Sequence, residues 1–190
     1  MTEPSPLAPP TLLNAYCNGI FPMYVAEEDG IFWFRPEVRC ILPLDGFHVS
    51  RSLAKLLRQQ KFEVTLNNAF TDVMIACADR AEGTWISSEI IDAYTALHDL
   101  GYAHSVEVWN DGWLVGGLYG VAIGRGFMAE SMFHRESNAS KVAVAALVAH
   151  LNSLQFQLLD VQYLTPHLAS LGAVEISNAA YLDRLRKAIE

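Results

Sequence analysis

The stretch AHSVEVWNDGWLVGGLYGVAIGRGFMAESMF, residues 103–133, decides the fold. Its residue pattern changes to the two-residue period of a β-strand, and Asn110-Asp111-Gly112 supplies the Asp-Gly turn of a short hairpin. Gly124-Arg125-Gly126 then turns the chain a second time. We therefore predict three consecutive antiparallel strands: Ala103–Trp109, Trp113–Ile123 and Phe127–Phe133.

Helices and further strands are predicted on both sides of this unit, from capping residues and apolar spacing. Helices are predicted at Leu12–Asn18 after Thr11, from Ser50 to about Gln60, and from Asn67 or Asn68, Ser87 or Ser88, Ser137 or Asn138, and Asn178. Further strands are predicted at Phe32–Pro36, Arg39–Pro43, Lys61–Leu66, Gln155–Tyr163 and Val174–Ile176. Such an order predicts an α+β or mixed α/β sheet with helices on its faces. The Pro-rich residues 1–10 are expected to be mobile.

Composition limits the classes of function. The 190 residues are 52% hydrophobic, which is enough for a core, but no apolar run approaches the roughly 20 residues of a membrane helix. The N-terminus lacks the features of a signal peptide, and the three cysteines are well separated, so we expect a cytoplasmic protein with reduced thiols. A net charge of −8 argues against binding of duplex DNA but permits RNA binding by a local basic cluster.

No motif for a metal or cofactor stands out in the sequence. The six histidines show no zinc-ligand spacing. The glycines Gly116, Gly117, Gly120 and Gly124 lie in or beside a predicted strand and do not open a helix, so they form neither a P-loop nor a dinucleotide-binding fingerprint. We expect neither a metal nor a cofactor.

Two predicted strands carry acids among apolar residues. Asp160 and Gln162 are two apart in one strand and are expected to project to the same side, either as a reactive pair or with Asp160 as a structural acid bonded to an arginine or a backbone amide. Glu130 lies between Phe127 and Met132 in another strand. It indicates either a polar group in a greasy ligand pocket or a member of a buried structural network.

The best candidate for contacting phosphates is a basic stripe on one helix. Arg51, Lys55 and Arg58 follow at spacings of four and three, so they share a helix face. The stripe is either a solvated surface or a site for RNA, and the chain has only thirteen basic residues in all.

Ten segments together resemble bacterial leucyl/phenylalanyl-tRNA–protein transferases, in the order found in that family. The segments are YCNGIFP (16–22), HVSRS (48–52), GTWI (83–86), AYTALH (93–98), HSVEVW (104–109), LVGGLYGV (114–121), ESMF (130–133), NASK (138–141), DVQ (160–162) and HLASLGA (167–173). This chain departs from the family pattern at Met23, where tryptophan is usual, and at Ala129 and His134, where glycine and serine are common.

The resemblance implies a GNAT-like acyltransferase domain over residues 37–190 behind a small N-terminal α/β subdomain over residues 1–36. It implies transfer of Leu, Phe or Met from aminoacyl-tRNA to the N-terminal amine of proteins that begin with Arg or Lys, which creates an N-degron. It also assigns Asp160, Gln162 and Glu130 to catalysis. It assigns four residues to the amino-acid pocket: Leu118, Phe127, Met132 and Leu147. It assigns Trp85 and Met23 to the terminal adenosine of the tRNA. The basic stripe is assigned to binding of the tRNA.

Two other classes of function stay open on the sequence. One is a small-molecule N-acyltransferase that uses acyl-CoA, which is disfavoured because the entry to the helix after His134 has no glycine. The other is a non-catalytic or altered-specificity relative that binds RNA or degrons, which the change at Met23 brings into consideration. For the transferase, the sequence predicts that Asp160 attracts the acceptor and takes up its proton while Gln162 orients the reacting centre.

Overall fold

A computed structural model describes residues 6–190 of the chain. Within that range the chain forms a seven-stranded mixed sheet with strand order β4-β5-β6-β7-β8-β3-β9 and a two-stranded sheet β1-β2. The strands are β1 Phe21–Val25, β2 Gly30–Phe34, β3 Val38–Ile41, β4 Glu63–Leu66, β5 Ala103–Asn110, β6 Trp113–Ile123, β7 Gly126–His134, β8 Leu158–Gln162 and β9 Val174–Ser177. The helices are α1 Pro9–Cys17, α2 Arg51–Gln59, α3 Phe70–Ala78, α4 Ser88–Asp99, α5 Ala139–Ser153, α6 Pro166–Ala169 and α7 Asn178–Ile189.

The three-strand unit predicted from the sequence is confirmed as the centre of the large sheet. β5, β6 and β7 pair antiparallel in sequence order. Asp111 and Gly112 in the β5-β6 turn both have positive φ, 49° and 79°, as a tight hairpin turn requires. The α+β class with a mixed sheet flanked by helices, expected from the GNAT-like resemblance, is therefore confirmed.

The large sheet opens where the pairing between two parallel strands, β7 and β8, ends. β7 and β8 pair in parallel only from Gly126 with Leu158 to Met128 with Asp160. Beyond this point β7 continues to His134 while β8 ends at Gln162, so the two strands diverge. The divergence leaves a gap in the sheet at the carboxyl ends of the two strands.

Helices cover both faces of the large sheet. One apolar cluster joins the sheet to α1, α3, α4 and α7, and a second joins it to α2 and α5. Gly116 of β6 lets the start of α5 approach closely, because a Cβ atom there would lie only 2.5 Å from the Cβ of Ala139. This close packing fixes the N-terminus of α5 beside the gap between β7 and β8.

The N-terminal part differs from the sequence prediction. Helix α1 begins at Pro9, which is favoured in a first helical turn, and not after Thr11. Leu7 is buried in the core, so the mobility expected for residues 1–10 does not hold from Leu7 onward, while residues 1–5 lie outside the described part of the chain. Strand β1 was not predicted because Pro22 interrupts its pattern, yet it pairs with β2 as a two-stranded sheet, where proline is tolerated.

Two expected helix caps are also absent. Asn67 does not cap α3; its side-chain oxygen accepts a hydrogen bond from the Ser105 amide at 3.0 Å and so holds the segment between β4 and α3 to β5. Asn138 precedes α5 in a left-handed conformation and makes no side-chain cap. In the part of the chain that the structure describes, no helix is long and apolar enough to cross a membrane.

Candidate active site

A cavity of about 420 Å³ lies in the gap where β7 and β8 diverge. Its walls combine apolar side chains with several polar and charged ones, so it can hold a ligand that has both apolar and polar parts. The lining residues that matter below are Phe21, Met23, Arg80, Trp85, Glu130, Ser131, Met132, His134, Ser140, Gln162, His167 and Leu168. We call this cavity the cleft.

A β-bulge directs Glu130 toward the cleft. Tyr119 pairs with Ser131 and Gly120 pairs with Ala129, so Glu130 has no partner on β6 and is the extra residue. Met132 beyond the bulge packs with the cluster under α5, whereas Ser131 contacts Arg80 on the other face. The bulge therefore breaks the two-residue alternation that the sequence pattern assumed for this strand.

Glu130 is a buried acid with one free oxygen. Its side chain is 7% exposed; Oε1 accepts a hydrogen bond from Gln162 Nε2 at 2.9 Å, and Oε2 has no partner among the described residues. Burial raises the pKa of Glu130 to about 7, partly offset by Tyr16 and by the Gln162 amide. Burial also raises the pKa of Tyr16, so near neutral pH its hydroxyl is an uncharged neighbour. Glu130 can accordingly exchange a proton close to pH 7.

Asp160 is sealed in the interior and does not line the cleft. It is fully buried, and the Arg39 guanidinium donates to both of its oxygens, with Nε at 2.9 Å from Oδ1. The Tyr181 hydroxyl donates to Oδ2 at 2.9 Å. Burial opposes the charge on Arg39, but hydrogen bonding and attraction to Asp160 outweigh it and raise its pKa. The structure therefore agrees with the alternative in which Asp160 is a structural acid bonded to an arginine and a backbone amide, and not with the expectation that it projects with Gln162 into one site.

The reason is the backbone of Gln162. This residue has φ of 60°, in the left-handed region, so the alternation of strand β8 stops one residue earlier. The Asp160 carboxylate accepts the Gln162 backbone N–H at 2.9 Å and thereby stabilises this turn. The side chain of Gln162 is left facing Glu130 and the cleft. Asp160 thus acts on the cleft through Gln162.

Together these groups form an ordered series from Arg39 through Asp160 and Gln162 to Glu130. Only the last two reach the cleft. Gln162 has a second amide hydrogen that Glu130 does not use, and the second oxygen of Glu130 is buried without a hydrogen-bond partner among the described residues. A donor and a weak base side by side suit attack of a nucleophile on a carbonyl group.

Comparison with known proteins identifies the family. Residues 41–186 match the family described as leucyl/phenylalanyl-tRNA protein transferase, and residues 5–37 match the N-terminal domain of the same family. The chain belongs to the leucyl/phenylalanyl-tRNA protein transferase family. The resemblance inferred from the sequence is thereby confirmed.

Individual members of the family are similar along almost the whole chain. The leucyl/phenylalanyl-tRNA–protein transferase of Desulfatibacillum aliphaticivorans is 54% identical over 188 residues, which is 97% of this chain and 80% of that protein. The protein of the same name from Novosphingobium aromaticivorans is 55% identical over 190 residues, 98% of this chain and 72% of that protein. Among solved structures, FemX shares the fold, with a TM-score of 0.58 at 11% identity over 87% of this chain and 66% of that one.

Met23 and Trp85, which the resemblance assigns to the terminal adenosine, lie on the wall of the cleft. The Tyr24 amide donates to the Trp85 carbonyl at 3.2 Å, which ties β1 to the loop between α3 and α4. The N-terminal strand pair therefore forms one side of the cleft, and contact of Met23 and Trp85 with the terminal adenosine stays a prediction.

The expected amino-acid pocket is only partly on the cleft wall. Met132 lines the cleft, but Leu118 is 1% exposed and packs in the core under α5. Phe127 and Leu147 line a separate cavity of about 110 Å³. The physical reason is the sheet register, because Leu118 lies opposite Met132 and packs in the cluster that Met132 covers. Leu118, Phe127 and Leu147 belong to one apolar cluster, and of the three only Leu118 lies directly opposite Met132.

The basic stripe lies on α2, as predicted. Arg51, Lys55 and Arg58 are all exposed, and none has an ion-pair partner among the described residues. They do not line the cleft. The structure brings them together with each other but not with the reactive groups.

Sequence reasoning missed several residues of the site. Arg39 and Tyr181 hold Asp160, while Ser140 and His167 line the cleft. Arg39 had a signal, since an arginine inside the apolar stretch Arg39-Cys-Ile-Leu42 needs a buried acid just as Asp160 needs a buried base. Ser140 and His167 had no such signal, because their place depends on the divergence of β7 and β8.

Proposed function

We propose that this protein transfers Leu, Phe or Met from aminoacyl-tRNA to the N-terminal amine of proteins that begin with Arg or Lys, and so creates an N-degron. Charged tRNA is a cytoplasmic substrate, so we place the reaction in the cytoplasm. Beyond family membership, the observation that carries the proposal is the pair of Glu130 and Gln162 in the cleft. A half-ionised acid beside an amide donor is suited to aminolysis of an ester.

In the proposed reaction the acceptor amine attacks the ester carbonyl carbon. A C–N bond forms, the second N–H of Gln162 donates to the carbonyl oxygen as it gains charge, and Glu130 takes the proton released by the amine. The C–O bond to the terminal adenosine then breaks, and Glu130 returns the proton to the departing ribose oxygen. The products are an amide and a free tRNA hydroxyl, so the atoms and protons balance.

Asp160 has a positioning role in this scheme. Both of its oxygens are occupied by Arg39, Tyr181 and the Gln162 amide, and its side chain has no exposure, which disfavours direct contact with an acceptor. Asp160 holds Gln162 in its left-handed conformation, which otherwise costs of order 1 kcal/mol or more. This replaces the expectation that Asp160 itself takes up the amine proton.

The side chain of the transferred amino acid lies against Met132 in the proposal. Leu118 lies opposite Met132 and belongs to the same apolar cluster as Phe127 and Leu147, and we propose that this cluster limits how deep a side chain reaches. A pocket of this kind separates substrates that differ by one or two methylenes by about 1–3 kcal/mol. That magnitude is compatible with acceptance of several apolar amino acids.

The tRNA is proposed to approach from the side of the N-terminal strand pair. The terminal adenosine packs on Trp85 and Met23, where the thioether of Met23 replaces the aromatic face usual in the family. The exposed stripe of Arg51, Lys55 and Arg58 binds phosphates of the tRNA body. The net charge of −8 favours an acceptor with a cationic first residue.

We further propose that residues 1–36 and 37–190 are the N-terminal and GNAT-like catalytic parts. The two matched segments, 5–37 and 41–186, support a boundary near this point. Support also comes from the separate pairing of β1 with β2.

The test is transfer from a panel of charged tRNAs to peptides that differ only in their first residue. We expect transfer of Leu, Phe and Met but not of Val or Glu, to peptides that begin with Arg or Lys but not with Ala. Gln162→Ala should lower kcat by about a hundredfold. Gln155→Ala is the matched control, because Gln155 also has positive φ, 59°, but is exposed and outside the cleft. Absence of transfer from every charged tRNA would exclude the proposed function.

A further inference from the structure

A second cavity lies beside the cleft at the start of α5. It encloses about 450 Å³ and is lined by His134, Arg135, Ser137, Asn138, Ser140, Lys141 and His167. Three of these residues, His134, Ser140 and His167, also line the cleft. The two cavities are therefore neighbours that share a wall.

The N-terminus of α5 is unsatisfied where it meets this cavity. Helix α5 has 15 residues, no side-chain cap from Asn138 and no acid in its first turn. The Ala139 amide bonds to the Glu136 carbonyl, but the amides of Ser140 and Lys141 have no acceptor among the described residues. Free amides at a helix N-terminus favour an anion.

A buried serine and a half-buried histidine at the cavity have polar atoms without a hydrogen-bond partner among the described residues. Ser140 is 3% exposed, and its hydroxyl makes no hydrogen bond to any described residue, although it faces both cavities. The buried Nε2 atom of His167 likewise has no partner in the described part of the chain. Polar groups with little exposure are normally hydrogen-bonded, so the unpartnered Ser140 hydroxyl and His167 nitrogen on the wall of one cavity indicate a ligand with hydrogen-bonding groups.

The charge of the surroundings selects an anion. Lys141 has no ion-pair partner among the described residues, and Arg135 adds a second cation. His134 and His167 also line the cavity, but burial lowers the pKa of His167, so its ring is a neutral hydrogen-bonding group near pH 7. The nearest acid in sequence, Glu136, is taken by Lys61 Nζ at 2.6 Å and Asn110 Nδ2 at 2.7 Å. A tetrahedral anion with several acceptor oxygens fits such a set of donors.

We propose that this cavity binds the phosphodiester that joins the last two nucleotides of the charged tRNA. The inference rests on the proposed function, because the ester enters the adjoining cleft and the phosphodiester lies one nucleoside away from it. Ser140, Lys141 and the first-turn amides of α5 bind the phosphate oxygens, and His167 lies between the phosphate and the cleft. The site would fix the distance of the terminal adenosine from Glu130.

The same anion chemistry could come from the pyrophosphate of coenzyme A, and direct binding separates the two sources. Calorimetry with cytidylyl-adenosine and with coenzyme A tests each ligand on the wild-type protein. We expect binding of the dinucleotide only. Binding of coenzyme A without the dinucleotide would overturn the assignment to RNA.

The kinetic test compares two small donors with the same Arg-starting peptide. Phenylalanyl-adenosine lacks the phosphodiester, and phenylalanyl-cytidylyl-adenosine contains it. For the wild type we expect KM to be roughly tenfold lower for the second donor, the size of one charge-assisted contact. In Lys141→Met the ratio of the two KM values should fall below about two, and Ser140→Ala should lower it less. Lys187→Met, a change at an exposed lysine on α7, should keep the wild-type ratio.

The kinetic test distinguishes failure of the phosphodiester site from failure of the proposed function. A wild-type ratio near one, or an unaltered ratio in Lys141→Met, would overturn the phosphodiester site while leaving the proposed function in place. Transfer by the wild type from neither small donor nor intact charged tRNA would instead refute the proposed function itself.

Discussion

Replacement of Glu130 by Gln tests whether Glu130 takes up and returns the proton in the proposed reaction. The substitution keeps the shape and keeps an oxygen that can accept the Gln162 hydrogen bond, but it removes the titration. The ordinary pKa of a glutamate is 4.5, and burial raises that of Glu130 to about 7. Two independent quantities should respond, the free energy of unfolding and the rate of transfer.

The stability effect follows from the raised pKa. Between pH 4.5 and about 7 the folded protein holds this proton more tightly than the unfolded chain, so the contribution of Glu130 is fully present below pH 4.5 and is lost as pH rises through about 7. The difference corresponds to about 3 kcal/mol, at 1.36 kcal/mol for each factor of ten in proton affinity. As pH rises from 4.5 to 8, the free energy of unfolding of Glu130→Gln should therefore increase by about 3 kcal/mol relative to that of the wild type.

Urea denaturation at several pH values measures this gain, with Glu82→Gln as a control for loss of an exposed charge. The transfer rate should move the other way. Glu130→Gln should lose a factor of about 10² to 10⁴ in kcat and lose the rise in rate centred near pH 7. A variant with wild-type rate and wild-type dependence of stability on pH would refute both the assigned role and the electrostatic reasoning.

Three further changes test other parts of the structure. Arg39→Met should lower the free energy of unfolding by about 3–5 kcal/mol, because it leaves Asp160 buried without its cation. Addition of Asp160→Asn should recover part of that loss, as measured by urea denaturation. Equal stability of the single and double variants would contradict this expectation. Met132→Ala should change the ratio of kcat/KM for Leu-tRNA and Phe-tRNA by tenfold or more, and a constant ratio would remove Met132 from the pocket wall. Joint replacement of Arg51 and Lys55 by Glu should weaken tRNA binding and lower the slope of log affinity against log salt by about two, whereas an unchanged slope would exclude the stripe.

The central strands could be predicted because their signals are local. The Asp111-Gly112 turn and the two-residue alternation act within a few residues of each other, and Ser50 and Ser87 cap their helices as the sequence indicates. Asn67 and Asn138 carry similar capping signals that failed. Asn67 is used by β5 instead, and this contact across the fold cannot be read from neighbouring residues.

The candidate site was harder to predict from the sequence than the central strands, because three buried acids have similar sequence surroundings. Glu107, Glu130 and Asp160 each lie in an apolar strand. Glu107 is satisfied by hydrogen bonds from Thr65 and Ser105, and Asp160 is held by Arg39. Of the three, only Glu130 lines the cleft, and only Glu130 has a carboxyl oxygen without a hydrogen-bond partner among the described residues. Partners distant in sequence, a bulge and one residue with positive φ make the difference.

Arg39 lies between the two segments that match the family, and its guanidinium joins them. It donates to the Gly19 carbonyl at 3.2 Å and packs 4.7 Å from the centre of the Phe21 ring, while its other nitrogens hold Asp160. A chain severed between residues 36 and 37 would leave one hydrogen of a buried cation without its acceptor and one face without its ring. We expect neither fragment to be active alone, and co-expression of the two pieces to restore transfer by complementation.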